Sequence, residues 1–437
     1  MRYRALAALL LLASCRAEAG NKATGAIAGT YQEMPWTDSW LEGEAERYLR
    51  DSDFRRQVMK DSLTNKENFY AQSRLRSYGL VDRGWDKLPA WNPRIQRIDT
   101  LFVDGLIAGK PVELSQAKPL WDGTIPTKLS AWVALGRRVF FEYPLRAEVF
   151  AEHGLRSSER SKRLGLFANQ KGIWPGVIAF EDFEGKPALG ITCALCHVAE
   201  KDGKMVVGQA RRQLDYGEMR LTYFRDTGIF VSEDLKRRMA GWGPGRADIT
   251  QDDDEDPVAI VDLWGIRDHE YLTQSGTIRH VHPAALAIRQ ETQFMHASEE
   301  MVRPPRPLAW ALAMYLYSIE PPPAKTSHDP NSLGSGHRLF DKHCNHCHSD
   351  ANFAGKPVSA VSIGTDMALA GGQARGTGLY RPSPLTRVGD AAPYFHDGTV
   401  ESLESLLDEN RDVPGHLYGV DLGAKEKRDL LVFLRSL

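Results

Sequence analysis

The sequence has no charge excess of either sign. Its formal net charge is -2 over 437 residues, so no basic field singles out nucleic acid as a partner. Beyond its N-terminus it has no long apolar run. LAWALAMYLYSI at 308–319 is twelve residues, short of the roughly 20 a membrane helix needs. Cysteine is scarce, with five in the chain. The composition is neither disordered nor fibrous: 42% apolar and 26% charged is ordinary for packed domains. The length allows two or three domains with cores of their own.

What is present begins at the N-terminus. MRYR leads into ALAALLLLAS and then Cys15, an apolar run too short to span a bilayer and of the kind that directs export. Leu12-Ala13-Ser14-Cys15 resembles the bacterial lipobox, in which the cysteine is lipidated and becomes the first mature residue. Arg16 follows it rather than the aspartate that resembles an inner-membrane retention signal. The expectation is an outer-membrane lipid anchor facing the periplasm; plain cleavage with an incidental cysteine is the alternative. Residues 1–14 are then a signal peptide, 15–35 a tether and 36–130 an N-terminal extension. Charged runs with spaced aromatics predict helix over 36–75, and RIDTLFVDGLI at 97–107 predicts a strand.

From residue 131 the chain repeats itself. GRRVF at 136–140 answers GHRLF at 336–340, and CALCH at 193–197 answers CNHCH at 344–348. PVAIVDLWGIRDHEYLTQSGT, ending at Thr277, answers PSPLTRVGDAAPYFHDGT, ending at Thr399. The helix-like LAWALAMYLYSI answers EKRDLLVFLRSL at 426–437. Four landmarks in one order, twice, predict a domain at 131–320 and a second at 333–437, joined by a proline-bearing linker at 321–332. The first copy carries an insertion ahead of its cysteines, with GLFANQKGIWPGVIAFEDF large enough to cover one side of a cofactor.

Two C-x-x-C pairs are compatible with a four-cysteine zinc site or with redox dithiols. Neither needs a histidine directly after each pair, nor a pair in each copy of a repeat. C-x-x-C-H is the attachment signature of c-type haem: two thiols add to the porphyrin vinyl groups and the histidine faces the iron. Cys193, Cys196 and His197 would hold one haem, and Cys344, Cys347 and His348 another. The expected fold is mainly α: two c-type cytochrome domains with long loops, plus the N-terminal extension.

The remaining axial position decides the function, since two protein ligands favour electron transfer and an open position favours peroxide or dioxygen chemistry. In the second domain His396, in PYFHDGT, and Met367, in GTDMALAGG, compete for it. The position answering His396 in the first domain falls on Thr273 and Gln274, neither a usual iron ligand. This asymmetry predicts one closed and one open site. Peroxide chemistry needs a base to move a proton and a donor to stabilise developing charge. Glu291 is the candidate base, and Arg279 or His282 the candidate donor. Met205 and Met219 are alternative sixth ligands that would leave only an electron carrier. Trp264 either relays an electron between sites or packs the core. QDDDEDP at 251–257 offers carboxylates to calcium without the spacing of an EF-hand loop.

These residues carry a family likeness. PLTRVGDAAPYFHDGTVESLESL at 384–406, with the two C-x-x-C-H units, resembles the bacterial di-haem cytochrome c peroxidase and MauG superfamily over about 131–437. The chain is more distantly similar to the exported di-haem rubber oxygenases, which have large additions around a similar pair of domains. The resemblance implies a periplasmic oxidoreductase with an electron-transfer haem in the second domain, an oxidant-reactive haem in the first, and a periplasmic protein as electron donor or acceptor. It implies Glu291, loosely, as the acid/base group. In the peroxidases a methionine follows the H-D-G histidine by fourteen residues and ligates the electron-transfer haem; MauG-like proteins have tyrosine there. This chain has Asn410 at that interval, a poor iron ligand. The oxygenase-like relatives imply two histidines on that haem instead.

Overall fold

Thr37, Asp51 and Asn68 each precede a run with helical periodicity, and each side chain accepts a hydrogen bond from a backbone N–H of the first turn. Caps of this kind satisfy donors the helix itself cannot. They open α1 (Asp38–Arg50), α2 (Ser52–Ser62) and α3 (Phe69–Ser77). The longer helices that follow are α4 (Leu129–Glu142), α5 (Pro283–Ala297), α6 (Arg306–Tyr317), α7 (Pro330–His343) and α8 (Ala424–Ser436). The computed structural model describes residues 34–248, 250, 256–324, 329–350 and 352–437. The signal segment, Cys15 and most of QDDDEDP lie outside them. The protein is mainly helical, 43% helix against 12% strand.

The repeat seen in the sequence becomes two helix crossings. α4 packs on α6 at Gly136, where a Cβ would stand 1.9 Å from the Ala311 carbonyl oxygen. α7 packs on α8 at Gly336, where a Cβ would stand 2.1 Å from the Asp429 carbonyl oxygen. In both copies the glycine of G-x-R-x-F is the point of backbone contact. α6 is apolar on all sides and buried from Leu308 to Leu316, as a central core helix must be.

The other repeated stretch keeps its backbone. Gly265 and Arg387 are both left-handed, and each opens a single 3₁₀ turn, Ile266–Asp268 and Val388–Asp390. Thr273 and Phe395 follow with φ of 69° and 70°, a region L-residues rarely occupy. The two copies are offset by 122 residues, the separation of Gln274 from His396. They also meet reciprocally: Ala259 N donates to the His396 carbonyl and Arg381 N to the Gln274 carbonyl, both at 2.8 Å. Each donor and acceptor of the first bond is the repeat counterpart of those in the second, which is the pattern of a local two-fold axis.

The N-terminal extension and the insertion together supply an antiparallel sheet. Its strands β1 (Arg94–Asp99), β2 (Lys118–Pro119), β3 (Ile173–Glu181) and β4 (Pro187–Ile191) lie in the order β2-β1-β3-β4. The strand expected over 97–107 ends at Asp99, because the Asp99 carboxylate caps Phe102 N at 2.9 Å and starts a helix over Thr100–Ile107. Likewise α7 begins inside the expected linker, capped by Asp329. Residues 34–437 form one compact unit.

Candidate functional site

The second C-x-x-C-H turn follows the end of α7. A carbonyl can only accept, so His348 Nδ1 donates to the Phe353 carbonyl at 2.6 Å. That fixes the tautomer and leaves the Nε2 lone pair free, the arrangement of a metal-ligating histidine. Burial lowers the His348 pKa, which favours the same neutral form. Cys344, Cys347 and His348 line a cavity of about 260 Å³ whose walls include Leu430 and Leu434 of α8.

Across that cavity stands His416. Its ring centroid is 6.4 Å from that of His348, with the planes at 69°. A metal–imidazole bond is about 2 Å and a ring nitrogen lies about 1 Å from its centroid, so two imidazoles sharing one metal stand about 6 Å apart. His416 is held at φ 49° by Arg411, whose guanidinium donates to the carbonyls of Leu406, Val413, Gly415 and His416. Among the described residues no hydrogen bond engages the His416 ring, and its buried Nδ1 has no partner. Burial first, then the neighbouring His348, pushes His416 down to about 4. The apolar walls, two thiols and two facing neutral imidazoles suit a haem.

His396 lines the same cavity, yet its ring is committed elsewhere. It stacks on Tyr380 at 4.1 Å, with Nε2 3.0 Å from the tyrosine hydroxyl and 3.6 Å from Asp366. Met367 is 37% exposed and does not reach the cavity wall. The structure therefore brings His416, not His396 or Met367, opposite His348.

The first turn, Ala194–His197, is gripped from behind. Arg211 is buried and donates to the carbonyls of Ala194, Val198 and Pro175 at 3.1, 3.0 and 2.9 Å. β3 presses on the turn through Gly176, where a Cβ would meet the Leu195 Cα at 2.2 Å. His197 Nδ1 donates to the Val261 carbonyl at 3.0 Å, the same device as in the second copy, and burial chiefly pushes this histidine down to about 4. The Thr192 hydroxyl beside Cys193 is buried without a partner. Burial pushes the thiols up, to about 12 at Cys193 and about 11 at Cys196 and Cys344. Reactive dithiols need the opposite shift. Cys193 and Cys196 pack against two cores and Cys344 against a third, and among the described residues no three His, Cys, Asp or Glu side chains gather as one ion site would need.

Of the residues expected to do chemistry at the first turn, Glu291 and His282 are engaged with the N-terminal segment. Glu291 is fully buried; its Oε2 accepts from Tyr48 at 2.8 Å and Tyr78 at 2.6 Å, and its Oε1 lies 3.2 Å from Arg306 Nε. Burial, then the Glu291 charge, raises both phenols, which keeps them donors. His282 caps α5 through Ala284 N and sits between Trp40 and Phe54, 3.2 Å from Glu44. Arg279 lies 4.0 Å from Glu270. Met205 Sδ accepts from Asn169 and Met219 is buried in the core. Gln274 bonds the carbonyls of Ala259 and His396.

No family model matches the chain, and no curated protein sequence does. Several solved structures are partly similar to it, among them the following two. A MauG-like protein associated with microbial copper homeostasis is 17% identical, with a TM-score of 0.33 over 45% of this chain and 78% of that one. Hydrazine synthase from Kuenenia stuttgartiensis is 13% identical, with a TM-score of 0.36 over 80% of this chain and 97% of that one.

One segment touches both turns. Val261 holds His197 with its carbonyl, while Ala259, Ile260, Val261, Asp262 and Trp264 line the second cavity. Arg212 clamps the segment, pairing with Asp262 at 3.0 Å and donating to the Ala391 carbonyl. Trp264 is buried and donates from Nε1 to the Val207 carbonyl at 3.1 Å. His416, Arg211 and Arg411 were not singled out in the sequence. The signal available for His416 was a lone histidine in P-G-H-L-Y-G, between two glycines and late in the second repeat.

Proposed function

We propose that the protein is a di-haem c-type oxidoreductase, with one haem covalently held at Cys193, Cys196 and His197 and the other at Cys344, Cys347 and His348. The facing pair His348 and His416, 6.4 Å apart across an apolar cavity, is the observation that carries this reading. When bound, haem supplies an iron that exchanges single electrons and, where one axial position is open, meets peroxide or dioxygen. Phe353 and Val261 orient the two proximal imidazoles through their carbonyls. His416, carried by the Arg411-bound loop, would close the second site, so that site is the electron relay. Leu430 and Leu434 exclude water from it. The first site is the one that meets the oxidant. Trp264 and the 259–264 segment lie between relay and reaction site.

The export signal and Cys15 support an outer-membrane-anchored lipoprotein facing the periplasm, exchanging electrons with a periplasmic protein. A second reading, a di-haem electron carrier without catalysis, is favoured by one observation: Glu291, Arg279 and His282 all serve packing or pairing elsewhere.

The test is spectroscopic. The exported protein is expected to show two haems per chain by pyridine haemochrome, one six-coordinate low-spin and one that changes on adding peroxide. Two low-spin haems inert to peroxide would leave the carrier. Fewer than two covalent haems would defeat both readings.

A further inference from the structure

Three arginines gather around the junction of α3 and α5, with no acid paired to them among the described residues. Arg74 comes from α3, Arg289 from α5, and Arg375 from the glycine-rich loop of the second repeat. Arg74 lies over the Tyr70 ring at 3.2 Å and Arg375 over the same ring at 5.6 Å. Arg74 reaches Thr292 Oγ1 at 2.9 Å, and that hydroxyl donates to the Arg289 carbonyl one turn earlier on α5. The loop is pinned in place: Phe69 N and Tyr70 N donate to the Gln373 and Ala374 carbonyls, and Ser275 and Thr277 donate to the Arg375 carbonyl.

Among the described residues no carboxylate stands within ion-pair distance of these three side chains. Among the described residues the Arg289 guanidinium bonds only Gln290, and the Arg375 side chain has no hydrogen bond. Arg74 is 4% exposed, and its Nε has no partner. Asp256 and Asp248 act on Arg375 through their charge without pairing with it. Burial chiefly pulls Arg74 down to about 10, Tyr70 opposes it, and the charges of Arg375 and Arg289 add to the fall. Arg289 acts in turn on Cys193 and His197. A buried cluster of one sign is costly unless something answers it, and planar guanidinium forks match a carboxylate in particular.

The geometry points to a carboxylate site formed by Arg74, Arg289 and Arg375 where α3, α5 and the glycine-rich loop meet. It rests on the haem reading only for the source of the carboxylate, which is either a haem propionate or a small free carboxylate. Full-length haem-loaded protein, with haem counted by pyridine haemochrome, is compared with R289Q, R375Q and the rescue variants R289K and R375K. Arg289 and Arg375 are half-buried, so these changes are the gentler ones, and the lysine variants separate lost charge from lost fold.

With a propionate in the site, the glutamine variants shift the midpoint potential of one haem, the lysine variants restore it, and added acetate does nothing. With a free carboxylate, acetate binds saturably by calorimetry and at least tenfold more weakly in R289Q and R375Q. Potentials and acetate response both indifferent to the arginines would overturn the site. Arginine-dependent binding of phosphate but not acetate would overturn its chemistry. If no haem is found at the first turn, the haem reading fails separately. Acetate calorimetry on the same protein then still decides: arginine-dependent binding supports the site and no binding overturns it.

Discussion

His416 shows what a residue's position adds to its identity. Histidines at 343, 346, 396 and 416 all line one cavity, and only geometry separates them: His416 faces His348 while His396 is stacked on Tyr380. His416→Ala is therefore expected to turn the low-spin EPR signal of the second haem high-spin, whereas His396→Ala leaves it low-spin. The reverse outcome would reinstate His396. His282 makes a pH prediction. Burial chiefly holds it at about 4 against an ordinary 6.5, so on acidification the unfolded chain takes up its proton first. The stabilisation is complete above pH 6.5 and is lost as pH falls towards 4, at most about 3 kcal/mol. Urea midpoints at pH 7 and 4.5 should fall further in the native protein than in His282→Gln; equal falls would refute this. The surroundings of Glu291 were hidden for a related reason. Its partners Tyr48 and Tyr78 lie 243 and 213 residues away in sequence, and no local pattern reveals them.

Elements were more legible. The helix expected over 36–75 formed as α1, α2 and most of α3, and the G-x-R-x-F helices and the apolar α6 formed where the repeat pointed. The two glycines at the crossings invite a direct test. A methyl at Gly136 or Gly336 meets a backbone oxygen, which cannot rotate aside, so Gly136→Ala and Gly336→Ala are each expected to cost at least about 2 kcal/mol. Gly43 lies inside α1 with nothing within 4 Å of an added Cβ. Gly43→Ala should instead gain about 0.5–1 kcal/mol. Denaturant midpoints of the three variants check both signs, and a tolerated Gly136→Ala would mean the helices are not this close. The loop carrying His416 was not legible, because Arg411 shapes it through carbonyls that carry no sequence signature.

At the scale of the whole molecule, the N-terminal extension is part of the core rather than an appendage. Tyr48 of α1 and Tyr78 just past α3 supply the phenols that donate to Glu291, Asp86 pairs with Arg306 and Arg55, and β1 covers one edge of β3. Deleting residues 36–130 would leave a buried carboxylate without its donors, at several kcal/mol, and a bare strand edge open to aggregation. The truncated chain is expected in the insoluble fraction; a soluble, haem-loaded product would contradict this. The repeat was visible in the sequence as four ordered landmarks, but its reciprocal contact through Ala259, His396, Arg381 and Gln274 was not, since backbone bonds carry no sequence signal. The Val261 carbonyl has one more consequence. It fixes the imidazole of one centre while its own residue walls the other. With the two proposed haems bound, thermodynamic linkage would require reciprocity: whatever free energy an electron at the second centre added to or removed from electron affinity at the first, the first would return in equal measure, and the two midpoints would form one coupled pair.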